Sequence, residues 1–267
     1  MPFPHPYRHE LINFLQTLRI DIINAFEALE SSHHKFEKKA WDYQAEGGGE
    51  MAILRGELFE KAAVNWSGVG GPALPMAPQE GPFFATGVSL ITHMANPHVP
   101  TVHMNLRFIE TPERYWFGGG YDLTPMGFPY AEDTNHFHQV AQETVEAHQQ
   151  GLYEEFSQQA REYFYIPHRK RERGVGGLFF DYYNTENFEA DRQLWQSIGN
   201  SFLKAILPIY ERRIPQTYTP QERHTQLINR AFYAEFNLMY DRGTKFGFQS
   251  GGNPDAILCS MPPLVHW

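Results

Sequence analysis

The sequence predicts an α+β fold, in which residues 1–267 form a single domain with a large, mainly antiparallel β-sheet flanked by helices on both faces. Apolar and polar side chains alternate along residues 99–110, as they do in a strand with one buried face. Residues 10–29 and 188–213 instead carry apolar side chains three and four positions apart, as amphipathic helices do. Helices and antiparallel-type strands are grouped along the chain, and no repeat or linker divides it, which favours one α+β domain.

The first quarter of the chain is predicted to contain one helix and one hairpin. The helix over 10–29 has one apolar face, formed by Leu11, Phe14, Leu15, Leu18, Ile22, Phe26 and Leu29. Three glycines at 47–49 break the chain before a hairpin with strands over 50–55 and 58–67. Residues 68–75 are too rich in glycine for regular structure and lack the lysine of a P-loop. We expect them to form a mobile or ligand-covering loop.

The central strand over 99–110 separates two kinds of side chain. Its apolar side carries Val102, Met104, Leu106 and Phe108, and its polar side carries Thr101, His103, Asn105 and Arg107. The preceding strand, 84–93, puts Ser89 and His93 on a common face by the same period of two. We therefore expect histidine, serine, asparagine and arginine side chains to line one surface of the sheet.

The next strand, 115–125, contains three consecutive glycines, at 118–120, followed by Asp122. Glycine inside a strand often marks a place where a ligand or another backbone comes close, because no Cβ atom is in the way. The sequence therefore predicts a close approach beside Asp122.

The C-terminal half is predicted to alternate between helices and strands. Helices are expected over 131–150, 154–163 and 188–213, the last perturbed by Pro208, and strands over 174–183, 232–240 and 256–261. Thr219 and Glu222 frame a capping box with proline at the first helical position, so a further helix begins there. The basic segment 163–173 is either a solvated loop or an anion receptor.

Composition excludes several classes of function. The net charge is −9, so nucleic acid and anionic membranes are unsuitable partners. No apolar run approaches the length of a membrane span, so we expect no membrane insertion. The single Cys259 allows no internal disulfide, and residues 1–10 lack the order of a secretory signal, so we expect a cytoplasmic protein.

Two segments carry a resemblance to a known family. They are His103-Met-Asn-Leu-Arg107 and Trp116-Phe-Gly-Gly-Gly-Tyr-Asp-Leu-Thr-Pro125. Together with later segments, they make residues 47–267 resemble oxygen-dependent coproporphyrinogen III oxidase. That family works in haem biosynthesis, where it oxidatively decarboxylates the propionates of rings A and B of coproporphyrinogen III to vinyl groups, giving protoporphyrinogen IX.

The resemblance implies a role for particular residues. His103, as proton donor, Asp122 and Arg173 would be catalytic, and the substrate-binding residues would be Ser89, Asn105, Arg107, Gly251 and Gly252. Arg107, Arg169, Arg173 and Arg242 are the candidate receptors for the four propionates of the tetrapyrrole substrate, because guanidinium groups bind carboxylates in a bidentate manner. O2 would be the co-substrate, and no organic cofactor is implied.

The resemblance also implies a divalent metal and a homodimer. The metal ligands would be His93, His103, His138 and His168, although these four histidines fall on separate predicted elements without tight ligand spacing. The predicted strand over 232–240 is apolar enough for a dimer interface and equally suits a buried core strand.

Four features depart from the family pattern. Tyr182 replaces a second aspartate after Asp181, Asn253 replaces an arginine, Met94-Ala95 replaces a Pro-Arg pair, and the chain ends at Trp267. With fewer cations, the chain would bind propionates less tightly. An oxidase of the same fold that acts on a less anionic, electron-rich substrate is therefore an alternative. Two further alternatives are a non-catalytic tetrapyrrole-binding protein and a metal-dependent hydrolase whose metal the histidines would bind.

Overall fold

The computed structural model describes residues 3–30, 33–75 and 77–267. Its helices are α1 (Arg8–Leu29), α2 (Ala131–Glu146), α3 (Leu152–Tyr163), α4 (Phe188–Arg213), α5 (Pro220–Met239), α6 (Arg242–Gln249) and α7 (Pro254–Leu258). Its strands are β1 (Glu37–Asp42), β2 (Glu46–Leu54), β3 (Phe59–Gly71), β4 (Phe83–Met94), β5 (Thr101–Glu110), β6 (Tyr115–Thr124), β7 (Tyr165–Ile166), β8 (Arg171–Glu172) and β9 (Gly177–Tyr183).

Seven strands form one antiparallel sheet in the order β1-β2-β3-β4-β5-β6-β9, while β7 and β8 form a small separate hairpin. The main core lies on one face of this sheet. There the apolar side chains of β5, from Val102 to Phe108, pack with those of α1 and α4. The opposite face is covered in part by α5, whose Tyr233 packs with Ala63 and Ile91. The predicted α+β class, with helices on both faces of the sheet, is confirmed.

Register across the central strands decides which polar side chains become neighbours. His103 of β5 pairs with Asp122 of β6, and Arg107 pairs with Gly118. On the other side of β5, Asn105 pairs with Ser89 of β4. Because these positions share one parity along their strands, they present their side chains to the face opposite the main core.

The predicted capping box is confirmed at the start of α5. The Thr219 hydroxyl accepts a hydrogen bond from the backbone N–H of Glu222, and the Glu222 carboxylate accepts one from the backbone N–H of Thr219. The helix that begins there continues to Met239, so the strand predicted over 232–240 is wrong. Aromatic residues suggested a strand, but the buried positions Leu227, Arg230, Tyr233 and Asn237 follow a helical period.

Three further predictions of secondary structure are wrong. The last predicted strand, 256–261, overlaps α7, which Asn253 caps by accepting hydrogen bonds from two backbone N–H groups. Glycines at 47–49 do not break the chain but lie within β2, and the first part of the predicted loop 68–75 belongs to β3. The charged strand β1 was missed because its side chains are mostly exposed and show no alternation. In the part of the chain described here, no helix combines the length and apolarity that a membrane crossing requires.

Candidate active site

A cavity of about 440 Å³ opens on the polar face of the sheet, between the central strands and the segment that contains α5, α6 and α7. Its volume falls within the range of small-molecule sites, about 300–1,000 Å³. The aromatic residues on its walls include Trp41, Tyr43, Trp66, Trp116, Tyr163, Phe164, Phe179, Tyr182, Tyr233 and Phe246. Its polar residues include Ser89, His103, Asn105, Arg107, Arg173, Asp181, Asn237 and Arg242. An apolar enclosure with a few convergent charges suits a large ligand with charged edges.

Asp122 lies at the centre of one polar cluster beneath this cavity. Its Oδ1 accepts a hydrogen bond from the Arg173 guanidinium at 2.7 Å and lies 3.0 Å from Nδ1 of His103. Its Oδ2 accepts a hydrogen bond from the Thr124 hydroxyl at 3.3 Å. Asp122 is buried and does not border the cavity, whereas His103 and Arg173 do. Asp122 is therefore placed to act on its neighbours and not directly on a ligand.

Charge pairing controls the ionisation of this cluster. Burial alone would raise the pKa of Asp122, but the charge of Arg173 and the hydrogen bond to His103 outweigh it and hold that pKa below its usual value. Burial would also lower the pKa of Arg173, yet the Asp122 carboxylate raises it. The two groups are therefore both ionised, and each stabilises the charge of the other.

Arg173 is held by aromatic rings as well as by hydrogen bonds. Its guanidinium donates to Oδ1 of Asn237 at 3.0 Å, and its Cζ lies 4.2 Å from the ring centroid of Phe164. The rings of Tyr233 and Phe236, on α5, each lie 4.7 Å away. Cation–π contacts of this length favour the charged guanidinium. They also fix Arg173 in one orientation.

His103 is the member of the cluster best placed to exchange a proton with a ligand. Its Nδ1 faces the Asp122 carboxylate, so Nδ1–H donates to Asp122 and the other ring nitrogen, Nε2, is left for the cavity. A carboxylate behind an imidazole fixes its tautomer and ring orientation. The arrangement can therefore supply or accept a proton at Nε2.

A second charged cluster lies on the same wall, around Asp181 of β9. Its carboxylate contacts the Arg107 guanidinium at 2.8 Å and that of Arg242, the first residue of α6, at 3.5 Å. Arg107 also donates to Oδ1 of Asn105 at 2.9 Å, and the Arg242 guanidinium lies 4.8 Å from the ring centroid of Tyr163. Two cations thus converge on one internal carboxylate at the edge of the cavity. The same two guanidinium groups are placed to bind the carboxylate of a ligand.

The glycines of β6 make this second cluster possible in two ways. A Cβ atom at Gly118 would lie 2.8 Å from Nε of Arg107, so glycine leaves the space in which that side chain lies. A Cβ atom at Gly120 would lie 1.9 Å from the carbonyl oxygen of Leu178, so that glycine admits the neighbouring strand β9. The predicted close approach is thus made by an arginine side chain and by another backbone.

The predicted substrate-binding residues are spread around the cavity. Ser89 is exposed on its wall and Gly252 borders it. Gly251 does not border it, and its positive φ of 72° shapes the turn between α6 and α7. Arg169, a candidate propionate receptor, lies outside the cavity, where it pairs with Glu235.

The four histidines of the predicted metal site are not brought together. His138 is held by the Val175 carbonyl at 2.8 Å and the Tyr153 hydroxyl at 2.9 Å. Both ring nitrogens of His168 are likewise hydrogen-bonded, to Tyr240 and Glu235.

His93 is fully buried, and burial lowers its pKa to about 3 despite a hydrogen bond to the Ser260 carbonyl. Nowhere in residues 3–30, 33–75 and 77–267 do three His, Cys, Asp or Glu side chains form a group that could hold a metal ion. The donor set of this chain therefore does not fit the metal site that the resemblance implied.

Sequence reasoning missed the role of Asp181 as the partner of Arg107 and Arg242, and it missed the aromatic wall. Asp181 follows the buried strand residues of β9 directly, and an acidic residue at the end of a buried strand in a chain with few cations is the signal that was available. Trp116 and Tyr182 gave no such signal, because their stacking depends on long-range pairing of β6 with β9.

Comparison with known proteins identifies the family. A family model described as coproporphyrinogen III oxidase matches residues 10–267. The chain is 44% identical over 240 residues to an oxygen-dependent coproporphyrinogen-III oxidase of Rickettsia bellii (strain OSU 85-389), which covers 87% of this chain and 85% of that protein. It is 41% identical over 270 residues to a protein of the same name from Rickettsia akari (strain Hartford), with 96% of each covered. The chain therefore belongs to the coproporphyrinogen III oxidase family.

Proposed function

We propose that this chain is an oxygen-dependent coproporphyrinogen III oxidase, which converts the propionates of rings A and B to vinyl groups and gives protoporphyrinogen IX. The observation that carries the proposal is the pairing of two sites within one cavity. The cluster of His103, Asp122 and Arg173 offers a proton at one place, and the guanidinium groups of Arg107 and Arg242 offer carboxylate binding at another. A tetrapyrrole with acidic side arms needs both.

The reaction requires the protein to position the substrate and to transfer protons. For each propionate, loss of CO2 and of one hydride equivalent leaves a vinyl group, while O2 accepts two electrons and two protons to become hydrogen peroxide. The electron-rich pyrrole and O2 supply the redox change, so no organic cofactor is required. The protein has to hold the reacting arm and move protons, which is what fixed charges in an apolar cavity do well.

The roles of the catalytic residues follow from their placement. We assign proton transfer to Nε2 of His103, because His103 borders the cavity and its other ring nitrogen faces Asp122. Asp122 then acts as a positioning residue for the imidazole, and Arg173 keeps Asp122 ionised. Arg107, with Asn105 behind it, and Ser89 bind the substrate. Gly252 lets the substrate approach the backbone after α6, while Gly251 sets the turn.

The proposal is tested with anaerobically prepared coproporphyrinogen III that is exposed to air in the presence of the purified chain. The expected product, after oxidation to the porphyrin, carries two vinyl groups and is resolved from the substrate by chromatography with fluorescence detection. Omitting O2 should stop the reaction, since O2 is the proposed electron acceptor. Folded protein that forms no vinyl-bearing product in air would refute the proposal.

One alternative is favoured by a specific observation. Asp181 already neutralises part of the charge of Arg107 and Arg242, which would suit an oxidase with a less anionic substrate. The same assay, run with a porphyrinogen that has fewer carboxylate arms, separates the two functions. Faster turnover of the less acidic compound would favour the alternative, and faster turnover of coproporphyrinogen III would support the main proposal.

We further infer that residues 1–267 act as one domain, in the cytoplasm, and that two copies associate into a homodimer. Leu238 and Met239, at the end of α5, leave about half of their surface exposed, at 52% and 50%, and a second copy would cover them. Sedimentation at several protein concentrations should give the mass of two chains. A monomer that persists at every concentration would refute the dimer.

A further inference from the structure

The strand β9 contains an irregularity beside the cavity. Phe117 of β6 pairs with Tyr183, and Gly119, two residues later, pairs with Phe180, three residues earlier in β9. One extra residue is therefore accommodated in β9, as in a β-bulge, which commonly re-aims a side chain next to an active site. The bulge lies at Asp181 and Tyr182.

Tyr182 adopts an uncommon backbone conformation at this bulge. Its φ is 53°, in the left-handed region that bulky side chains rarely enter. In a regular strand Asp181 and Tyr182 would point to opposite faces, but here both border the cavity. Strained residues at such sites persist only where the surroundings hold them, and they point to a functional constraint.

The ring of Tyr182 is supported from below. It stacks on Trp116, with ring centroids 5.3 Å apart and planes inclined by 23°. Trp116 is buried against Leu74 and Phe83, so it forms a rigid base. The Arg114 guanidinium contacts both rings, with its Cζ 4.8 Å from the Trp116 centroid and 5.7 Å from the Tyr182 centroid. Tyr182 as a residue is still 59% exposed, so part of its ring surface is left for another partner.

We propose that Tyr182 is a substrate-positioning residue, whose exposed ring face packs against one pyrrole ring of the tetrapyrrole at the rim of the cavity. This inference rests on the proposed function and extends it. Because Asp181 is the preceding residue and contacts Arg107 and Arg242, a pyrrole on Tyr182 has its propionate beside both guanidinium groups. Tyr182 thus selects which arm of the macrocycle reaches the cations.

Two substitutions separate the ring from the backbone conformation. Asparagine tolerates the left-handed region, so Tyr182→Asn removes the ring while keeping the bulge. Tyr182→Phe keeps the ring and removes only the hydroxyl. Tyr218→Asn, an exposed tyrosine that does not border this cavity, is the matched surface control.

The measurements are KM and kcat for coproporphyrinogen III, together with the Kd of the non-reacting porphyrin coproporphyrin III. Loss of one aromatic packing contact predicts a rise of about 2- to 10-fold in KM and in Kd for Tyr182→Asn, with a smaller change in kcat. Tyr182→Phe should restore most of the affinity, and Tyr218→Asn should behave as the unaltered chain does.

The outcomes separate this inference from the proposed function. If the unaltered chain forms vinyl product but Tyr182→Asn leaves KM and Kd unchanged, the role of Tyr182 is refuted and the function stands. An equal loss in Tyr182→Phe and Tyr182→Asn would also refute it, because the ring face would not be the contact. If the unaltered chain neither reacts with coproporphyrinogen III nor binds coproporphyrin III, both proposals fail.

Discussion

Replacing Asp122 with alanine is expected to destabilise the folded chain by about 3–5 kcal/mol and to abolish turnover. The loss of stability follows from burial, because Arg173 would keep its charge in an apolar site without its carboxylate partner. The loss of turnover follows because His103 would lose the group that orients its ring. Urea unfolding followed by circular dichroism measures the first effect, and the vinyl-product assay measures the second.

A double variant distinguishes the two effects. Combining Asp122→Ala with Arg173→Met removes both charges and leaves an apolar side chain of similar length, so most of the lost stability should return while activity stays absent. Asp122→Ala alone, if as stable as the unaltered chain, would contradict a buried ion pair at this position.

The pH dependence of stability gives a third measure of the same pair. The pKa of Asp122 is lower in the folded chain than in the unfolded chain, where the pKa of an aspartate is about 3.9. Its contribution to stability is therefore fully present above that pH and is lost as the pH falls through the folded-state pKa. The difference in stability between the unaltered chain and Asp122→Ala should narrow below about pH 4, because protonation of Asp122 removes the same ion pair that the substitution removes.

Replacing His103 with alanine is expected to lower kcat by about 100- to 10,000-fold, the usual contribution of a general acid or base. The imidazole lies on β5 with its Nδ1 fixed by Asp122, so its removal leaves a gap open to the cavity. Imidazole added to the solution should enter that gap and restore part of the rate, which a purely structural role would not allow. His9→Ala, an exposed histidine of α1, is the control.

Two results would argue against proton transfer by His103. One is an unchanged kcat in the alanine variant. The other is a reduced kcat that added imidazole fails to raise while the melting temperature of the variant falls, since that combination indicates a structural defect.

Local pattern predicted the parts of the fold in which one face is buried. The alternation along β5 was enough to place its apolar side chains in the core, namely Val102, Met104, Leu106 and Phe108. It also placed the polar side chains of His103, Asn105 and Arg107 on the opposite face. The start of α5 was equally clear, because Thr219 and Glu222 satisfy each other's backbone groups without help from the rest of the chain. In both cases the physical cause is local.

Elements whose state depends on distant contacts were predicted poorly. Residues 232–240 are rich in aromatic side chains and suggested a strand, yet they finish α5 because Tyr233 and Phe236 pack around the Arg173 guanidinium. The charged strand β1 exists because β2 offers it a complete ladder of backbone partners.

The sequence identified many residues of the candidate site but few of the contacts between them. His103, Asp122 and Arg173 do meet, as the resemblance implied, but no sequence pattern showed that Asp122 would lie beneath the surface of the cavity. Likewise, the sequence placed the four histidines on separate predicted elements, but it did not show how different their environments are. Burial of His93 and the paired hydrogen bonds of His138 and His168 arise only when separate elements pack together.

In the proposed binding mode, the contact of Asp181 with Arg107 and Arg242 makes binding of a substrate carboxylate an exchange of anions. The carboxylate of a ligand has to displace the Asp181 carboxylate from the two guanidinium groups. Because Asp181 is part of the chain, it competes at a high effective concentration. Acetate, chloride and other small cellular anions gain too little from the cations alone to win that competition. A macrocycle with several acidic arms and a broad apolar body makes additional contacts with the rest of the cavity when it binds. The affinity of the cavity therefore depends on the whole ligand and not on one carboxylate.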